Sequence, residues 1–186
     1  GSQTGLFLRG TSTAQTLILV DGQRIASASS GTSSLEFLSP DQIERIEVVR
    51  GARSALYGSD AIGGVIQIFT RKGDGQGLKP TMRFGIGSDS TYERSLGLSG
   101  GDGQTQFNLG AALDETQGID ATRDAYGANG DEDAYRNRSL SLNLSHQFND
   151  QIEAGFSVLD QRGQSEFDDV FGTSLPTVDF QVSSIS

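Results

Sequence analysis

The sequence predicts a small α/β domain followed by a run of antiparallel β-strands, and three observations support this fold class. Short continuous apolar blocks occupy residues 1–72, strict apolar–polar alternation occupies 81–186, and a stretch rich in glycine lies between them at 73–80. Continuous blocks are typical of strands buried on both faces, whereas alternation is typical of strands with one apolar face. The chain therefore divides into a globular domain, a linker and a β-strand region.

The first region carries its apolar residues in four blocks, at 6–8, 17–20, 46–49 and 65–69. Asp21-Gly22 follows the second block and is typical of a tight turn. Ser39-Pro40-Asp41 offers an N-cap, a proline at the first helical position and an early acid, which predicts a short helix ending near Arg45. These features indicate a compact α/β domain with loops rich in glycine and serine.

The second region contains six segments in which apolar residues alternate with Gly, Ser, Asn, Gln or charged residues. Their apolar positions are Met82, Phe84 and Ile86; Leu96 and Leu98; Phe107, Leu109, Ala111 and Leu113; Leu140, Leu142, Leu144 and Phe148; Ile152, Ala154, Phe156 and Val158; and Val178, Phe180 and Val182. Each segment is predicted to be a strand with one apolar face, which fits either a soluble sandwich or a transmembrane barrel.

Loop lengths favour the barrel. The second and fourth connections, at 101–103 and 149–150, are tight, and the third and fifth, at 114–136 and 160–176, are long and acidic. Only the first connection, near Asp89, is short where this alternation would place a long loop. Short turns on one rim and long loops on the other are typical of outer-membrane barrels. A barrel with a plugged lumen takes about 22 strands, so six strands form only part of such a barrel, and we expect the chain to be a piece of a longer protein.

Composition excludes several classes of protein. The net charge of −10 argues against a nucleic-acid partner, and the absence of Cys excludes disulfides and thiolate metal sites. The sequence contains no run of about 18 apolar residues, which a membrane-spanning helix requires. It begins at Gly1-Ser2 without an initiator Met, from which we expect a trimmed or processed chain.

The most specific motif covers residues 43–70 and reads IERIEVVRGARSALYGSDAIGGVIQIFT. Together with residues 6–10 and 17–24, it resembles the plug domain of TonB-dependent receptors in order and spacing. The resemblance implies a plug inside a 22-stranded barrel of the bacterial outer membrane. It also implies binding of a small molecule and import driven by TonB, which would engage a segment absent from this chain.

Within that family, residues 53–65 and 85–90 are most similar to the branch that transports cobalamin. The resemblance implies substrate-binding positions in the plug loops at Gly5, Ser12, Ser29 and Ser30, although Ser12 stands where that branch has Asn. A ferric siderophore or haem receptor is the alternative within the family. The resemblance also implies ion pairing between plug and barrel wall by Glu47, Arg50 and Arg53, while Glu44 and Arg45 fit the surface of a helix.

The long loops are acidic, and acidic runs are commonly solvated without a ligand. They also offer oxygen ligands for Ca²⁺, which takes six to eight oxygens in irregular loops. By resemblance to the cobalamin branch, we predict a structural Ca²⁺ site formed by Asp120, Asn129, Asp131, Asp133 and Asp160.

Two other classes of protein fit the sequence less well. An enzyme is disfavoured because the single His146 lies in an apolar alternation, Cys is absent, and no phosphate-binding Gly-Lys-Ser/Thr loop occurs. A soluble calcium-binding β-rich adhesin module would explain the alternation and the acidity. It would not explain the motif at 43–70.

Overall fold

The chain folds as two compact units, Gln3–Arg71 and Lys72–Ser186. The computed structural model describes residues 5–8, 10–25, 35, 38–51, 54–73, 76–119, 132–166 and 177–185. No helix within these ranges is long and apolar enough to cross a membrane.

The first unit is built on a four-stranded sheet. Its strands are β1 (Thr16–Val20), β2 (Gln23–Arg24), β3 (Ile43–Arg50) and β4 (Gly64–Thr70), in the order β2-β1-β4-β3. β4 pairs in parallel with β1 and antiparallel with β3. Helix α1 (Ser54–Tyr57) and a 3-10 turn at Ser59–Ala61 lie between β3 and β4.

The core of the first unit lies along β1 and β4. All five residues of β1 are buried, and Ile18 at its centre is 1% exposed. Leu17, Leu19 and Val65 form an apolar cluster with Ala61 of the 3-10 turn. This burial confirms the prediction of strands covered on both faces for the blocks at 17–20 and 65–69. The prediction is wrong for the block at 46–49, because Ile46, Val48 and Val49 of β3 are exposed.

The turn after β1 is fastened to the end of β4. Asp21 and Gly22 adopt positive φ angles of 48° and 82°, which Asp and Gly tolerate better than other residues. The Asp21 carboxylate accepts hydrogen bonds from the Thr70 backbone N–H at 3.0 Å and from the Thr70 hydroxyl at 2.5 Å. One side chain therefore joins the ends of the two buried strands.

The predicted helix through Arg45 is wrong. A 3-10 turn spans only Pro40–Gln42, and β3 begins at Ile43, so Glu44 and Arg45 lie on a strand. The proline and the cap residue start a turn as predicted, but Ile43, Ile46 and Val48 are β-branched and favour a strand. Pairing with β4 then satisfies the backbone of this segment.

The second unit is a six-stranded antiparallel sheet with its strands in chain order. They are β5 (Gln76–Ile86), β6 (Tyr92–Asp102), β7 (Thr105–Thr116), β8 (Tyr135–Asn149), β9 (Ile152–Glu166) and β10 (Thr177–Ile185). The predicted linker at 73–80 is too long, because β5 begins at Gln76. Gly77 and Pro80 are both accommodated in this strand, opposite Gly101 and Leu98 of β6.

The connections alternate between two rims of this sheet. β6–β7 and β8–β9 are joined by two residues each, whereas 117–134 and 167–176 are long and the β5–β6 hairpin is intermediate. The long loops are shorter than predicted because β7 and β9 extend into their acidic flanks. Asp114 and Glu115 therefore lie in β7, and Asp160 and Glu166 lie in β9.

Both short turns are closed by the same hydrogen-bond pattern. Asp102 Oδ1 accepts the N–H groups of Gln104 at 3.0 Å and of Thr105 at 2.7 Å. Asn149 Oδ1 accepts the N–H groups two and three residues further on, both at 2.9 Å. These Asx turns provide acceptors where the strand ladder ends.

The two faces of the large sheet differ in polarity, and the apolar face is the exposed one. Residues directly opposite in an antiparallel pair share a face. One such row across the sheet contains Pro80, Leu98, Leu109, Leu142, Val158 and Ile185. On β8, Leu140 and Leu144 are 54% and 43% exposed, whereas Ser139 and Ser141 on the opposite face are 6% and 4% exposed. We call these the outward face and the polar face.

The sixth alternating segment does not follow the predicted orientation. β10 pairs with β9 so that Phe180 lies opposite Gly163 and Val182 opposite Gln161, which are on the polar face. The outward face of β10 instead carries Asp179, Gln181 and Ser183. A shift of one residue in register exchanges the two faces of a strand, and alternation within β10 does not fix its register against β9.

Candidate functional site

Two of the predicted substrate-binding residues lie in one loop of the first unit. The Leu6 N–H donates a hydrogen bond to Thr13 Oγ1 at 3.0 Å, so the neighbours of these residues, Gly5 and Ser12, are brought together. Gly5 and Ser12 are both exposed. A Cβ on Gly5 would lie 2.9 Å from the Phe7 ring, so a larger residue would have to displace that ring.

Ser12 is held at the start of the 3-10 turn Thr13–Gln15. Its N–H donates to Gln15 Oε1 at 3.1 Å and its hydroxyl lies 3.3 Å from the same oxygen. The loop thus presents a hydroxyl, an amide and exposed backbone, which can hydrogen-bond amide or carbonyl groups of a ligand. Thr13 and Gln15 were not predicted, because their importance comes from these local hydrogen bonds. Ser29 and Ser30 lie outside the described residues.

The residues predicted to pair plug and barrel wall fall on β3 and just after it. Glu47 is half exposed and forms an ion pair with Arg45 at 2.9 Å, two residues away on the same strand. The Arg45 guanidinium also lies 3.7 Å from the centre of the Phe69 ring on β4. Arg50 is the last residue of β3 and is exposed, and Arg53 lies outside the described residues. Pairing with the wall stays a prediction for all three.

The long loop after β7 is closed at its base. The Asp133 N–H donates to the Ile119 carbonyl at 3.4 Å, and Gly118, at a φ of 75°, lies directly against the Asp133 carbonyl. Any side chain at Gly118 would collide with this backbone. Of the predicted Ca²⁺ ligands, only Asp133 in this loop is described, because Asp120, Asn129 and Asp131 lie outside the described residues.

Asp160 lies within β9 and not in the loop where we predicted it. Both of its carboxylate oxygens are engaged: Oδ1 accepts the Ser183 hydroxyl at 2.7 Å and Oδ2 the Arg162 Nε at 3.2 Å. Because β9 extends to Glu166, the residue belongs to the sheet and its carboxylate serves to join β9 and β10. No group of three or more His, Cys, Asp or Glu suited to a metal ion occurs among the described residues.

His146 occupies the rim with the short turns. Its Nδ1 lies 2.9 Å from Thr105 Oγ1, and its ring meets Phe148 edge to face at 4.5 Å. This arrangement anchors β7 and β8 to each other at an aromatic site.

The opposite rim carries charged residues on the outward face that the sequence did not single out. Glu115 of β7 forms ion pairs with Arg94 of β6 at 3.3 Å and with Arg136 of β8 at 3.0 Å. Arg138 of β8 lies directly opposite Arg162 of β9. The signal in the sequence was the continuation of the alternation past Leu140 into Arg138 and Arg136, but the partners across the sheet depend on register.

Comparison with known proteins identifies the class to which this architecture belongs. The family model described as the TonB-dependent receptor plug domain matches residues 1–65. With its plug sheet followed by alternating wall strands, the chain belongs to the TonB-dependent receptors of the bacterial outer membrane.

Curated relatives point to one branch of these receptors. The chain is 37% identical over 177 residues to the vitamin B12 transporter BtuB of Vibrio cholerae, which covers 93% of the chain and 28% of the relative. It is 32% identical over 173 residues to BtuB of Photobacterium profundum, covering 92% and 28%. The chain thus spans less than a third of the length of these relatives, and their names describe transporters.

Solved structures with the same fold include receptors for other ligands. The siderophore receptor PirA from Acinetobacter baumannii is 28% identical with a TM-score of 0.59, over 85% of this chain and 24% of that one. The pyoverdine receptor FpvA from Pseudomonas aeruginosa is 19% identical with a TM-score of 0.68, over 88% and 23%. Because FpvA is only 19% identical to this chain, its likeness supports the fold alone. Within this family, the first unit is the plug and the second is part of the barrel wall.

Proposed function

We propose that this chain forms the plug and the first wall strands of a receptor that binds cobalamin, or a related corrinoid, and imports it with energy delivered by TonB. The observation that carries the proposal is the identity of 32–37% to vitamin B12 transporters over more than nine-tenths of the chain. It spans both the plug and the wall. Family membership disfavours the soluble adhesin alternative.

The proposed ligand contact is the loop that contains Gly5 and Ser12. A corrin ring carries amide side chains, which need both donors and acceptors, and this loop exposes a hydroxyl beside the Gln15 amide. Ser12 in place of Asn shortens the side chain, so a corrinoid would approach the Ser12 backbone more closely. Ser29 and Ser30 are proposed as further contacts from the resemblance alone.

Binding measurements on the full-length protein test the proposal. Cyanocobalamin and ferric siderophores are compared by fluorescence quenching, and we expect saturable binding of cyanocobalamin only. Ser12→Ala removes a hydrogen-bonding group and is expected to weaken cyanocobalamin binding by about threefold to tenfold. Ser145→Ala, in β8 near the short-turn rim, serves as the matched control.

Two outcomes would contradict the proposal. Saturable binding of a ferric siderophore without cyanocobalamin would assign the receptor to the alternative represented by PirA and FpvA. Equal cyanocobalamin affinities for Ser12→Ala and the parent protein would remove the loop from the site while leaving the substrate class intact.

Calcium is proposed as a structural ion for the loop between β7 and β8, with Asp120, Asn129, Asp131 and Asp133 as ligands. Asp160 is withdrawn from this set, because its carboxylate oxygens already accept hydrogen bonds within the sheet. Calorimetric titration of Ca²⁺ into the chelator-treated full-length protein should release or absorb heat, and Asp131→Asn should reduce the affinity. Titration without heat would contradict this site.

A further inference from the structure

Three arginines line one groove on the outward face of the wall. Arg136 and Arg138 of β8 and Arg162 of β9 are exposed and border a cavity of about 420 Å³ that extends to β10. The only acid among the described residues that line this groove is Asp179. In a chain with a net charge of −10, these three arginines form a local concentration of positive charge, which Glu115 and Asp160 beside the groove offset in part.

The arginines are only partly neutralised by their neighbours. Arg136 pairs with Glu115 at 3.0 Å, and Arg162 pairs with Asp160 at 3.2 Å, but both remain at least half exposed. Within the described part of the chain, no acidic group pairs with Arg138. Arg138 also lies directly opposite Arg162 in the sheet, and like charges at such positions destabilise a strand pair. An anion bound between these two guanidinium groups would remove that repulsion.

The groove begins where the apolar band ends. On β8 the outward residues Leu144, Leu142 and Leu140 are followed, in the direction of the long-loop rim, by Arg138 and Arg136. A strand advances about 3.4 Å per residue, so Arg138 lies roughly 7 Å beyond Leu140 along the strand. The apolar side chains of this face meet the hydrocarbon of the membrane. Arg138 and Arg162 are therefore at the level of the lipid headgroups.

We propose that this groove binds the phosphate of a lipid headgroup in the outer leaflet, with Arg138 and Arg162 as the principal ligands. The guanidinium group is planar and forms paired hydrogen bonds to phosphate oxygens, which makes arginine the preferred residue for such a site. The occupant we infer is lipid A, the phosphorylated glucosamine lipid of this leaflet. Its acyl chains would lie against the exposed Leu140 and Leu144.

The position of the groove favours a lipid over a soluble anion. It opens on the face that carries the exposed leucines, so a ligand with both phosphate and acyl chains gains contacts to the arginines and to the apolar band. A free phosphate gains only the contacts to the arginines. The groove belongs to the second unit, whereas the loop proposed to bind the transported ligand belongs to the first.

The test uses the full-length protein in detergent, titrated with bisphosphorylated lipid A and observed by native mass spectrometry. Each of Arg138→Gln and Arg162→Gln should weaken lipid A binding by about tenfold, and the double variant by more, because each removes charged hydrogen bonds to phosphate. Arg138→Lys keeps the charge but not the paired geometry and should fall between. Arg83→Gln changes an arginine on the polar face, paired with Glu93, and should bind as the parent protein does.

Two ligand controls separate the sources of phosphate. Dephosphorylated lipid A should bind at least tenfold more weakly than the bisphosphorylated form, and inorganic phosphate at millimolar concentration should not displace the lipid. Gel migration of unheated samples reports whether each variant is folded. Equal binding by the Arg138→Gln/Arg162→Gln variant, equal binding of the dephosphorylated lipid, or displacement by inorganic phosphate would each overturn the proposal.

Discussion

The plug sheet and the wall sheet bury opposite kinds of residue. β1 in the plug buries every side chain of its apolar run, whereas β8 in the wall buries Asn137, Ser139 and Ser141 and exposes Leu140 and Leu144. The plug therefore follows the usual hydrophobic effect in water. The wall shows the reverse pattern, which is stable only if its outward face meets lipid.

The lengths of the strands sharpen this comparison. The plug strands β1 and β4 have five and seven residues, while β8 and β9 have fifteen each. A tilted transmembrane strand needs only about 9–11 residues. The remaining residues of β8 and β9 extend past the apolar band, and Arg136 of β8 and Arg162 of β9 lie on these extensions.

Truncation of an apolar side chain in each sheet should produce the largest contrast. Ile18→Ala leaves a cavity in a fully buried core and is expected to lower the free energy of unfolding of the plug by about 2–5 kcal/mol. Leu140→Ala on the outward face leaves no internal cavity, because lipid fills the space, so it should lose only the transfer free energy of the removed atoms, about 1–2 kcal/mol. Denaturant unfolding, followed by limited proteolysis of the plug, measures the change in stability caused by each substitution. Equal losses would break the distinction between the two sheets.

A second prediction concerns the polar tie inside the plug. Asp21→Ala removes the carboxylate that accepts from the Thr70 N–H and hydroxyl and places Ala at a positive φ, so we expect a loss of about 2–4 kcal/mol. Asp21→Asn tolerates the same backbone conformation and retains one acceptor oxygen, so its loss should be about half as large. The same unfolding measurement distinguishes them. If both variants match the parent protein, the hydrogen bonds to Thr70 do not stabilise the plug.

The smallest effect is expected at the short turns of the wall. Asn149→Ala removes the acceptor for two backbone N–H groups at an exposed position, where a hydrogen bond contributes about 1 kcal/mol. Hydrogen exchange of the Ile152 amide should accelerate by about fivefold to tenfold, with no change at the amides of β1. An unchanged exchange rate at Ile152 would show that water replaces the Asx turn without cost.

Much of the fold could be predicted from local patterns. The buried blocks at β1 and β4 and the alternation in β5 to β9 each depend on a period within one segment, which the sequence displays directly. The start of β3 and the orientation of β10 depend on pairing with another strand. Pro40 and Asp41 favour a helix locally, but hydrogen bonding to β4 stabilises a strand from Ile43 onward.

The candidate site was predictable to a smaller extent. Resemblance pointed to Gly5 and Ser12, but the hydrogen bond between Leu6 and Thr13 that brings them together depends on how the loop folds back on itself. Asp160 belongs to an acidic run in the sequence, and only the strand register shows that its partners are Ser183 and Arg162. The opposition of Arg138 and Arg162 also follows from register alone.

Contact of the outward face of the wall with lipid can be measured directly by labelling single cysteines, because this chain contributes no Cys of its own and any Cys elsewhere in the full-length protein can be replaced. Single cysteines replace Leu140, Leu142 and Leu144 on the outward face and Ser139, Ser141 and Asn143 on the polar face of β8. Each carries a nitroxide label in the full-length protein reconstituted into bilayers. We predict that oxygen accessibility alternates with a period of two and is greatest at the three leucine positions, where a water-soluble nickel chelate has little access. Accessibility of these leucine positions to the nickel chelate, or no alternation along β8, would contradict the account.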